Sequence, residues 1–354
     1  MLYLRKPTSV VLIAVLMFVN CGSGMKVVAK KVGKPLNVIL MIGDGMGLAQ
    51  ISAASFLYGG LTLDEFLDIG LLRTSSGDDY ITDSAAGATA YSTGEKTFNG
   101  AIGVGMDSLA RVTLLELAER KGLSSGLIST CSVTHATPGS FFGHRINREM
   151  HTQIAGDFYG KGIDFVAGTG KPYFDINRLQ KDGYHVQTGS SIQTWDKSAK
   201  QFWFYNDSIH PPKCAERGNW LAEVTGAGIQ HLSQNKKGFF LMVEGSQIDW
   251  GGHDTDFNYT VTELRDFDLA IKVALDFAKK DGNTLVIVTA DHETGGLSLD
   301  AGTLNPRTIV HHYASTHHSG IMVPVYAFGP GSAFLKGTHE NTEVFKVMKL
   351  MLGL

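Results

Sequence analysis

The sequence contains no block of basic residues and no stretch in which basic and aromatic side chains alternate. Its formal net charge is −3. Because proteins bind nucleic acids largely by neutralising phosphates with Lys and Arg, we expect no nucleic-acid partner. Charged residues make up 18% of the chain and apolar residues 43%, a balance typical of a globular protein with a sizeable core rather than of a disordered chain.

Cysteine is almost absent, with three residues in the chain. Cys21 belongs to the N-terminal segment described next, and the spacing of Cys131 and Cys214 is not that of a zinc ribbon. The sequence leaves open whether these two form a disulfide. We therefore predict that any metal site in this chain is built from His, Asp and Glu.

The N-terminal segment has the pattern of an export signal. Arg5 and Lys6 precede an apolar run, Val10–Val19, that is too short to span a membrane comfortably. Cys21 follows, as in a bacterial lipoprotein signal whose cysteine becomes the lipidated mature N-terminus, although Asn20 stands where a smaller residue is usual. The alternative is a plain cleaved secretory signal. In both cases we expect an exported protein, either periplasmic or held at a membrane as a lipoprotein.

The remainder of the chain alternates apolar runs with amphipathic stretches, which predicts an α/β fold with a central, mostly parallel β-sheet sandwiched between helices. Three apolar runs are predicted to be buried strands with a carboxylate at the carboxyl end, the edge where parallel sheets bind ligands. These acids would repel one another unless cations neutralised them. The runs and their acids are Asn37–Ile42 with Asp44, Phe239–Val243 with Glu244, and Thr284–Ala290 with Asp291.

Amphipathic stretches predict three helices, two of which end at a glycine, and a further apolar run predicts a strand near the C-terminus. Residues 171–235 are the least regular part of the chain, and we predict surface insertions there. The helices are predicted over Thr113–Lys121, Thr262–Lys280 and Asn341–Met351, and the strand over Ile321–Phe328.

Ser84 follows Asp83 at the start of an unbroken run of small residues that is compatible with a helix. A serine at a helix N-terminus gains from free backbone N–H groups and from the positive end of the helix dipole, which also attract phosphate. The alternative is an ordinary helix cap. The small residues favour a functional serine, because they let other groups approach it closely.

Several segments supply oxygen and nitrogen ligands. Glu244, Asp249 and His253 form a compact set with glycines between them, and residues four apart meet on one face of a helical turn or around a bent loop. Asp291 and His292 are adjacent at a predicted strand end, where a turn of the chain lets both reach one site.

Other polar residues have a functional and an ordinary interpretation. His135 and Thr137 share a loop, where simple hydrogen bonding is the alternative to a binding role. A lone arginine such as Arg148 is by default a surface charge, although a guanidinium matches two phosphate oxygens. His318 is the second member of a histidine doublet, and the nearby doublet at 311–312 is predicted to be exposed to solvent.

Taken together, these segments resemble the alkaline phosphatases. The motifs G-D-G-M-G, T-D-S-A-A, H-A-T-P, E-G-x-x-I-D-x-x-x-H, A-D-H-E and H-S-G follow one another in the family's order between residues 37 and 330. The resemblance implies an alkaline-phosphatase-like fold and hydrolysis of small-molecule phosphate monoesters to alcohol and inorganic phosphate at alkaline pH. It also implies that Ser84 is the nucleophile and forms a phosphoserine.

The same resemblance implies two zinc ions and one magnesium ion. Arg148 would clamp the phosphate, Trp250 would contact the substrate, and His135 would lie behind the magnesium ligands. These last two positions vary within the family: some bacterial members have aspartate where this chain has His135, and others have lysine or histidine where it has Trp250. The implied ligands are Asp249, His253 and His318 for one zinc, Asp44, Asp291 and His292 for the other, and Asp44, Thr137 and Glu244 for magnesium.

The resemblance also bears on the organisation of the chain. We predict a signal peptide over residues 1–21, with a lipoprotein signal as one form of it, a tether over residues 22–36 and a single alkaline phosphatase catalytic domain over residues 37–354. Members of the family are commonly homodimers. The natural substrate stays open, because every recognised contact is to the phosphate and none is to a leaving group.

Three rival functions agree less well with the sequence. A sulfatase needs a C-x-P-x-R type motif at the nucleophile, whereas Ser84 is followed by Ala-Ala-Gly. A phosphodiesterase of the same superfamily typically lacks the third metal site and the matching arginine. A binding protein for metal or phosphate has no need of a serine among the metal ligands. The sequence therefore favours a phosphomonoesterase.

Overall fold

The computed structural model of the protein describes residues 36–191 and 198–354. Its strands are, in chain order, β1 (Asn37–Gly43), β2 (Asp68–Arg73), β3 (Ser124–Ser132), β4 (Phe165–Thr169), β5 (Tyr184–Thr188), β6 (Lys200–Phe204), β7 (Phe239–Gly245), β8 (Thr284–Thr289), β9 (Glu293–Thr294), β10 (Leu297–Leu304), β11 (Arg307–Tyr313), β12 (His318–Ser319), β13 (Val323–Phe328) and β14 (Gly337–Glu340). Its α-helices are α1 (Leu48–Tyr58), α2 (Ser84–Thr93), α3 (Leu114–Lys121), α4 (Ala136–Gly139), α5 (His151–Phe158), α6 (Ile176–Lys181), α7 (Cys214–Arg217), α8 (Trp220–Leu232), α9 (Gln247–His253), α10 (Phe257–Asp281) and α11 (Thr342–Leu352).

Ten of the strands form one sheet in the order β14-β2-β13-β8-β1-β7-β3-β4-β6-β5. β13 is antiparallel to both of its neighbours, and the other pairings in this sheet are parallel. Helices α8 and α10 pack on one another and on the sheet, and α3 and α11 pack on it with α2 beside them. This arrangement confirms the predicted α/β fold with a mostly parallel central sheet flanked by helices.

The three strands predicted to carry acids lie side by side in the centre of the sheet, in the order β8-β1-β7. Their residues are almost entirely buried, as expected for parallel strands covered on both faces. Ile42 of β1 pairs with Glu244 of β7 on one side and with Thr289 of β8 on the other. The strands therefore end level with one another, and the acids at their ends meet at one edge of the sheet.

Capping residues define the helices predicted from sequence. Thr113 and Glu116 form a capping box that starts α3, and Gly122 ends it in a left-handed conformation. α10 begins at Phe257, earlier than the predicted Thr262, because the Asp256 side chain accepts a hydrogen bond from the backbone N–H of the first turn. The C-terminal helix and the strand β13 lie within two residues of their predicted bounds.

The prediction of surface insertions over residues 171–235 is wrong for much of that range. β5 and β6 complete the edge of the central sheet, and α8 packs against β3 and β4. Phe202 and Phe204 of β6 and Trp220 of α8 are buried, and the first two rings stack 4.5 Å apart. Sequence did not reveal these elements because β6 is short and loops rich in glycine and polar residues surround it.

The prediction that the doublet at 311–312 is solvent-exposed is wrong for one of its members. Both residues lie on β11, where neighbouring side chains point to opposite faces. The His311 ring stacks on Phe257 with centroids 3.9 Å apart, whereas His312 is exposed beside Asp300. The doublet thus helps to seat the β10–β11 hairpin against the start of α10.

Several predictions lie outside the described residues or at their margin. The signal peptide of residues 1–21 and most of the tether fall outside the described residues, which form one compact unit.

Cys131 and Cys214 are both free thiols. No helix in the described part of the chain is long and apolar enough to cross a membrane.

Candidate active site

The first group of candidate ligands consists of Asp249, His253 and His318. Helix α9 places Asp249 and His253 four residues apart on one face, and His318 comes from β12. The two histidine Nε2 atoms lie 3.2 Å apart, and each is within 3.6 Å of Asp249 Oδ1. One carboxylate oxygen and two imidazole nitrogens thus converge on one point, a donor set that suits zinc.

Both histidines of this group are held by their second ring nitrogen. His253 Nδ1 lies 2.6 Å from the carbonyl oxygen of Thr316, and His318 Nδ1 lies 2.9 Å from that of Thr82. Such carbonyls fix the tautomer that leaves Nε2 free to bind a metal. His317 is exposed, so the structure favours His318 as the member of its doublet that reaches the site.

The second group lies at the ends of β1 and β8. His292 Nε2 is 3.3 Å from Asp44 Oδ1 and 3.3 Å from Asp291 Oδ2. The other oxygen of Asp291 accepts hydrogen bonds from the backbone N–H groups of Gly45 and His292, which fixes the carboxylate. The His292 and His318 rings stack with centroids 3.5 Å apart, so the first two groups adjoin.

A third group lies between β3 and β7. Ligand atoms of Cys131, His135 and Glu244 all lie within 4.8 Å of one another. The thiol Sγ is 3.3 Å from Glu244 Oε2. Thr137, in α4, is fully buried, and its hydroxyl makes no hydrogen bond to the described residues. Sequence reasoning did not include Cys131, because it predicted that the metal ligands are His, Asp and Glu alone.

Five oxygen atoms of these groups are buried without a hydrogen-bond partner among the described residues. Both Asp44 oxygens, Asp291 Oδ2, Glu244 Oε1 and the Thr137 hydroxyl make no hydrogen bond to the described residues. A buried polar atom without a partner costs about 1–3 kcal/mol, and more if it is charged. Such a set of atoms is explained by bound cations, so the residues fit the divalent metal ions that the resemblance implies.

The electrostatics of the site lead to the same conclusion. Burial, followed by repulsion from Asp291 and Asp249, raises the pKa of Asp44 well above its usual range. Burial and the neighbouring Asp249 and Glu244 raise the pKa of Asp291 to about 8. Burial also raises the pKa of Glu244 to about 7. Positive charge among these carboxylates would keep all of them ionised at neutral pH.

Ser84 is the first residue of α2 and is 2% exposed. Its Oγ lies 3.2 Å from His292 Nε2, which places the hydroxyl beside the second group. Asp83 caps the helix by accepting a hydrogen bond from the backbone N–H of Ala86. Asp83 is therefore the cap of α2, and the Ser84 hydroxyl does not serve as the cap.

Arg148 is held next to the serine by the same cap. Its Nη1 donates a hydrogen bond of 3.0 Å to Asp83 Oδ2. The aspartate uses one oxygen for the helix and the other for the guanidinium. The arginine is therefore oriented at the N-terminus of α2 rather than free at the surface.

A rim of aromatic side chains borders the third group. Trp250 packs edge to face against His135 and against His210, with ring centroids 6.2 and 4.9 Å apart. His210 comes from the segment after β6, and Gln247 of α9 holds that segment by donating a hydrogen bond to the Pro211 carbonyl. Sequence reasoning missed His210, since no local motif marks it and only the fold brings it to α9.

Comparison with known proteins places this arrangement in a family. The family model described as alkaline phosphatase matches residues 35–174, 215–311 and 304–354. Alkaline phosphatase 3 of Bacillus subtilis is 41% identical over 289 residues, which cover 75% of this chain and 62% of that relative's length. Alkaline phosphatase 4 of the same organism is 35% identical, with 88% of each chain covered.

The chain is also similar to a solved structure of the alkaline phosphatase of the Antarctic bacterium TAB5. The structure is of a variant with aspartate in place of a histidine and with Mg bound in its M3 site. It is 40% identical and superimposes with a TM-score of 0.84 over 90% of this chain and 98% of that one. The chain therefore belongs to the alkaline phosphatase family of metal-dependent phosphomonoester hydrolases.

Proposed function

We propose that the chain hydrolyses phosphate monoesters through a covalent phosphoserine formed on Ser84. The observation that carries this proposal is the position of the Ser84 hydroxyl, at a helix N-terminus, 3.2 Å from His292 Nε2 and among buried carboxylates without partners. A helix N-terminus binds phosphate through its free N–H groups. The neighbouring donor atoms suit divalent cations.

The proposed ligands form three sets. Asp249, His253 and His318 hold one zinc ion, and Asp44, Asp291 and His292 hold the other. The oxygen atoms of Asp44, Thr137 and Glu244 hold magnesium, an ion that the related TAB5 variant contains in its M3 site. When bound, such ions lower the pKa of a hydroxyl, neutralise phosphate charge and stabilise a leaving alkoxide.

The side chains of the site then have distinct tasks in two displacements. The Ser84 oxygen loses its proton and forms a bond to phosphorus, while the bond from phosphorus to the alcohol oxygen breaks and that oxygen leaves with a proton as the alcohol. A water oxygen then loses a proton and forms a bond to phosphorus from the vacated side. The bond from phosphorus to the Ser84 oxygen breaks, the serine regains a proton, and inorganic phosphate is released. Arg148, oriented by Asp83, binds two phosphate oxygens through both steps.

Monoesters are favoured over diesters because the site offers positive charge for more than one phosphate oxygen. Arg148 and the cations would together face a dianion, and a diester carries one charge fewer. Trp250 borders the third group, and we propose that it contacts the substrate at this rim. His135 lies beside Glu244. Its proposed role is to act on the magnesium position rather than on the phosphate itself.

The test is hydrolysis of p-nitrophenyl phosphate at alkaline pH with zinc and magnesium. We expect turnover that a chelator abolishes, and Ser84→Ala should lose the phosphoenzyme. Ser92→Ala is the matched control, because Ser92 is buried in the same helix and its hydroxyl bonds only to the backbone of Thr89 among the described residues. Bis-p-nitrophenyl phosphate and p-nitrophenyl sulfate serve as the diester and sulfate comparisons.

The outcomes separate the alternatives. Metal-dependent and serine-dependent hydrolysis of the monoester in preference to the diester and the sulfate supports the proposal. Full turnover by Ser84→Ala would exclude the covalent route. Absence of monoester activity in the metal-loaded protein would favour a phosphodiesterase or a binding protein.

We also propose that residues 37–354 act as a single exported catalytic domain that forms a homodimer. Cys21 would be the lipidated residue if the N-terminal segment is a lipoprotein signal, and a cleaved secretory signal is the alternative. Mass spectrometry of the mature N-terminus distinguishes these two. Light scattering of the purified protein measures the oligomeric state.

A further inference from the structure

The segment after β6 is fixed on both sides of His210. The Ile209 carbonyl accepts a hydrogen bond of 2.7 Å from the Thr169 hydroxyl. The Pro211 carbonyl accepts one of 3.1 Å from Gln247 Nε2. The His210 side chain itself is exposed, so the structure presents this ring to solvent from a backbone whose position is set.

A buried ion cluster ties the same segment to α10. Arg217 Nη1 donates a hydrogen bond of 2.7 Å to the Pro212 carbonyl. Its Nη2 lies 2.6 Å from Glu263 Oε2 and 2.8 Å from Asp266 Oδ2. Because removal of one partner from a buried ion cluster is strongly destabilising, these contacts hold together. The segment that carries His210 is therefore anchored to both α9 and α10.

The rings of His210, Trp250 and His135 form an aromatic corner beside the third group. The centroid of the His210 ring lies 4.9 Å from that of Trp250 and 5.8 Å from that of His135, with angles of 80° and 87° between the ring planes. The planes of Trp250 and His135 meet at 76°. Edge-to-face packing is favourable for aromatic rings at these distances. A planar guest ring could stack on one face of such a corner while its edge meets another ring.

The position of Ser84 sets the direction in which a leaving group departs. The serine lies beside His292, at the ends of β1 and β8. Since the attacking and leaving oxygens are in line, the leaving oxygen points away from Ser84. Trp250 and His135 follow β7 and β3, which lie across β1 from β8, and His210 follows β6, further in the same direction. The aromatic corner thus lies on the side towards which the leaving group departs.

We propose that His210 and Trp250 bind a planar aromatic leaving group, so that the preferred substrates are monoesters whose alcohol carries an aromatic ring. Pairs of aromatic rings attract one another beyond the gain from buried area, and an aliphatic alcohol lacks this attraction. The ring could be a phenol joined directly to the ester oxygen or a nucleobase one sugar away. The inference rests on the proposed function, because it names the substrate class of the same site.

The ordinary interpretation is that His210 only packs against Trp250 and supports the rim. Kinetics separate the two interpretations, because every monoester gives the same phosphoserine. Hydrolysis of that intermediate does not depend on the leaving group, whereas kcat/KM covers binding and the first displacement. A contact to the leaving group therefore changes kcat/KM for some substrates and not for others, and a structural role changes it for all.

The experiment measures kcat/KM of the metal-loaded full-length protein for phenyl phosphate, adenosine monophosphate and glycerol phosphate. We expect His210→Ala to lower kcat/KM about fivefold for at least one of the two aromatic substrates and to leave glycerol phosphate within about twofold of the wild type. His210→Phe should keep the preference, since it retains a ring. A loss confined to phenyl phosphate supports a ring on the ester oxygen, and a loss confined to adenosine monophosphate supports a nucleobase.

His312→Ala is the control, because His312 is an exposed histidine on β11 beside Asp300. It should leave kcat/KM for all three substrates unchanged. An equal fall for all three substrates in His210→Ala overturns the proposal in favour of a structural role. Unchanged values for both aromatic substrates overturn it as well.

Failure of this inference is distinguishable from failure of the proposed function. Metal-dependent and serine-dependent hydrolysis of all three monoesters, without an effect of His210→Ala on the aromatic ones, means that only the leaving-group contact is wrong. Absence of hydrolysis of every monoester by the metal-loaded wild-type protein means that the proposed function is wrong.

Discussion

The histidines of the first group use their two ring nitrogens for different purposes. Nδ1 of His253 and of His318 is held by a backbone carbonyl, and the two Nε2 atoms converge on Asp249. The carbonyls come from loops far along the chain, at Thr316 and Thr82. Sequence can therefore identify a histidine as a candidate ligand, but only the fold decides which nitrogen is presented.

The histidine doublet at 317–318 allows a matched comparison of a candidate ligand with its neighbour. We predict that His318→Ala loses one bound zinc ion and lowers kcat/KM by about 10²-fold or more, since a three-ligand group is left with two. His317→Ala should behave as the wild type, because His317 is exposed. Zinc content and steady-state kinetics of both variants check this. Equal losses in the two variants would show that the doublet acts as a unit.

Asp83 allows the helix cap to be separated from the orientation of Arg148. In Asp83→Asn the amide oxygen still accepts the hydrogen bond of Ala86, so we predict a change in unfolding free energy of no more than about 0.5 kcal/mol. The charged partner of Arg148 is lost, and inhibition by inorganic phosphate should weaken about tenfold. Asp83→Ala, which loses the cap as well, should cost about 1 kcal/mol. Unchanged phosphate inhibition in the asparagine variant would contradict the role of Asp83.

At the scale of elements, α2 and the end of β8 approach each other unusually closely. The small residues after Ser84 were predicted to permit such an approach, and Gly87 is where it occurs. A Cβ atom added to Gly87 would lie 3.1 Å from Asp291 Cβ and 3.3 Å from the Asp291 carbonyl oxygen. The absence of a side chain at this position therefore sets the distance between the helix that carries Ser84 and the strand end that carries Asp291.

Gly87→Ala tests this contact. Alanine favours a helix interior by about 1 kcal/mol over glycine, but here the added methyl group must displace α2 or Asp291. We predict that the stability expected from the higher helix propensity of alanine is not gained. We also predict that kcat falls about tenfold, because Ser84 shifts relative to the ligands at the end of β8. Gly156→Ala in α5 is the control, since nothing lies within 4 Å of its added Cβ. That variant should gain about 0.5–1 kcal/mol in thermal unfolding with kcat unchanged.

The elements also explain what sequence predicts and what it does not. The acids of β1, β7 and β8 were predicted at one edge because a long apolar run and its terminal carboxylate are local features. β6 and the segment that carries His210 were not predicted, because their place depends on packing against residues far away in the chain. The third group was predicted without Cys131 for the same reason, as its proximity to Glu244 follows from the pairing of β3 with β7.

At the scale of the whole molecule, the carboxylates that metal ions would neutralise lie at one edge of the sheet. Other partly buried acids lie away from that edge. Glu116 and Glu119 are one turn apart on α3 and are both partly buried. Glu116 contacts His144 and Lys161, whereas Glu119 accepts a hydrogen bond from the Ser125 hydroxyl and lies near Asp164. Their surroundings therefore shift the pKa values of the two glutamates in opposite directions.

The two glutamates give the pH dependence of stability a testable sign. Burial, with repulsion from Asp164, raises the pKa of Glu119 to about 7. Between its unfolded pKa of 4.5 and this value, the folded protein keeps a proton that the unfolded chain has released, so stability falls as pH rises through the window. For Glu116, burial also raises the pKa, but the hydrogen bonds from His144 and Lys161 outweigh burial and lower this pKa to about 2. Its stabilisation is therefore complete above pH 4.5 and is lost as pH falls towards 2.

We predict that Glu119→Gln raises the unfolding free energy by about 1–2 kcal/mol at pH 8 and changes it little at pH 5, because the amide keeps the acceptor for Ser125 and removes the buried charge. Glu116→Gln, the matched variant on the same helix, should lower it at pH 8, since the charged partner of Lys161 is lost. Urea unfolding at both pH values measures these free energies. Chelator is present throughout, so that metal binding does not add a pH dependence of its own. A stabilisation by Glu119→Gln of the same size at pH 5 as at pH 8 would mean that the substitution acts through packing rather than through the charge of the carboxylate.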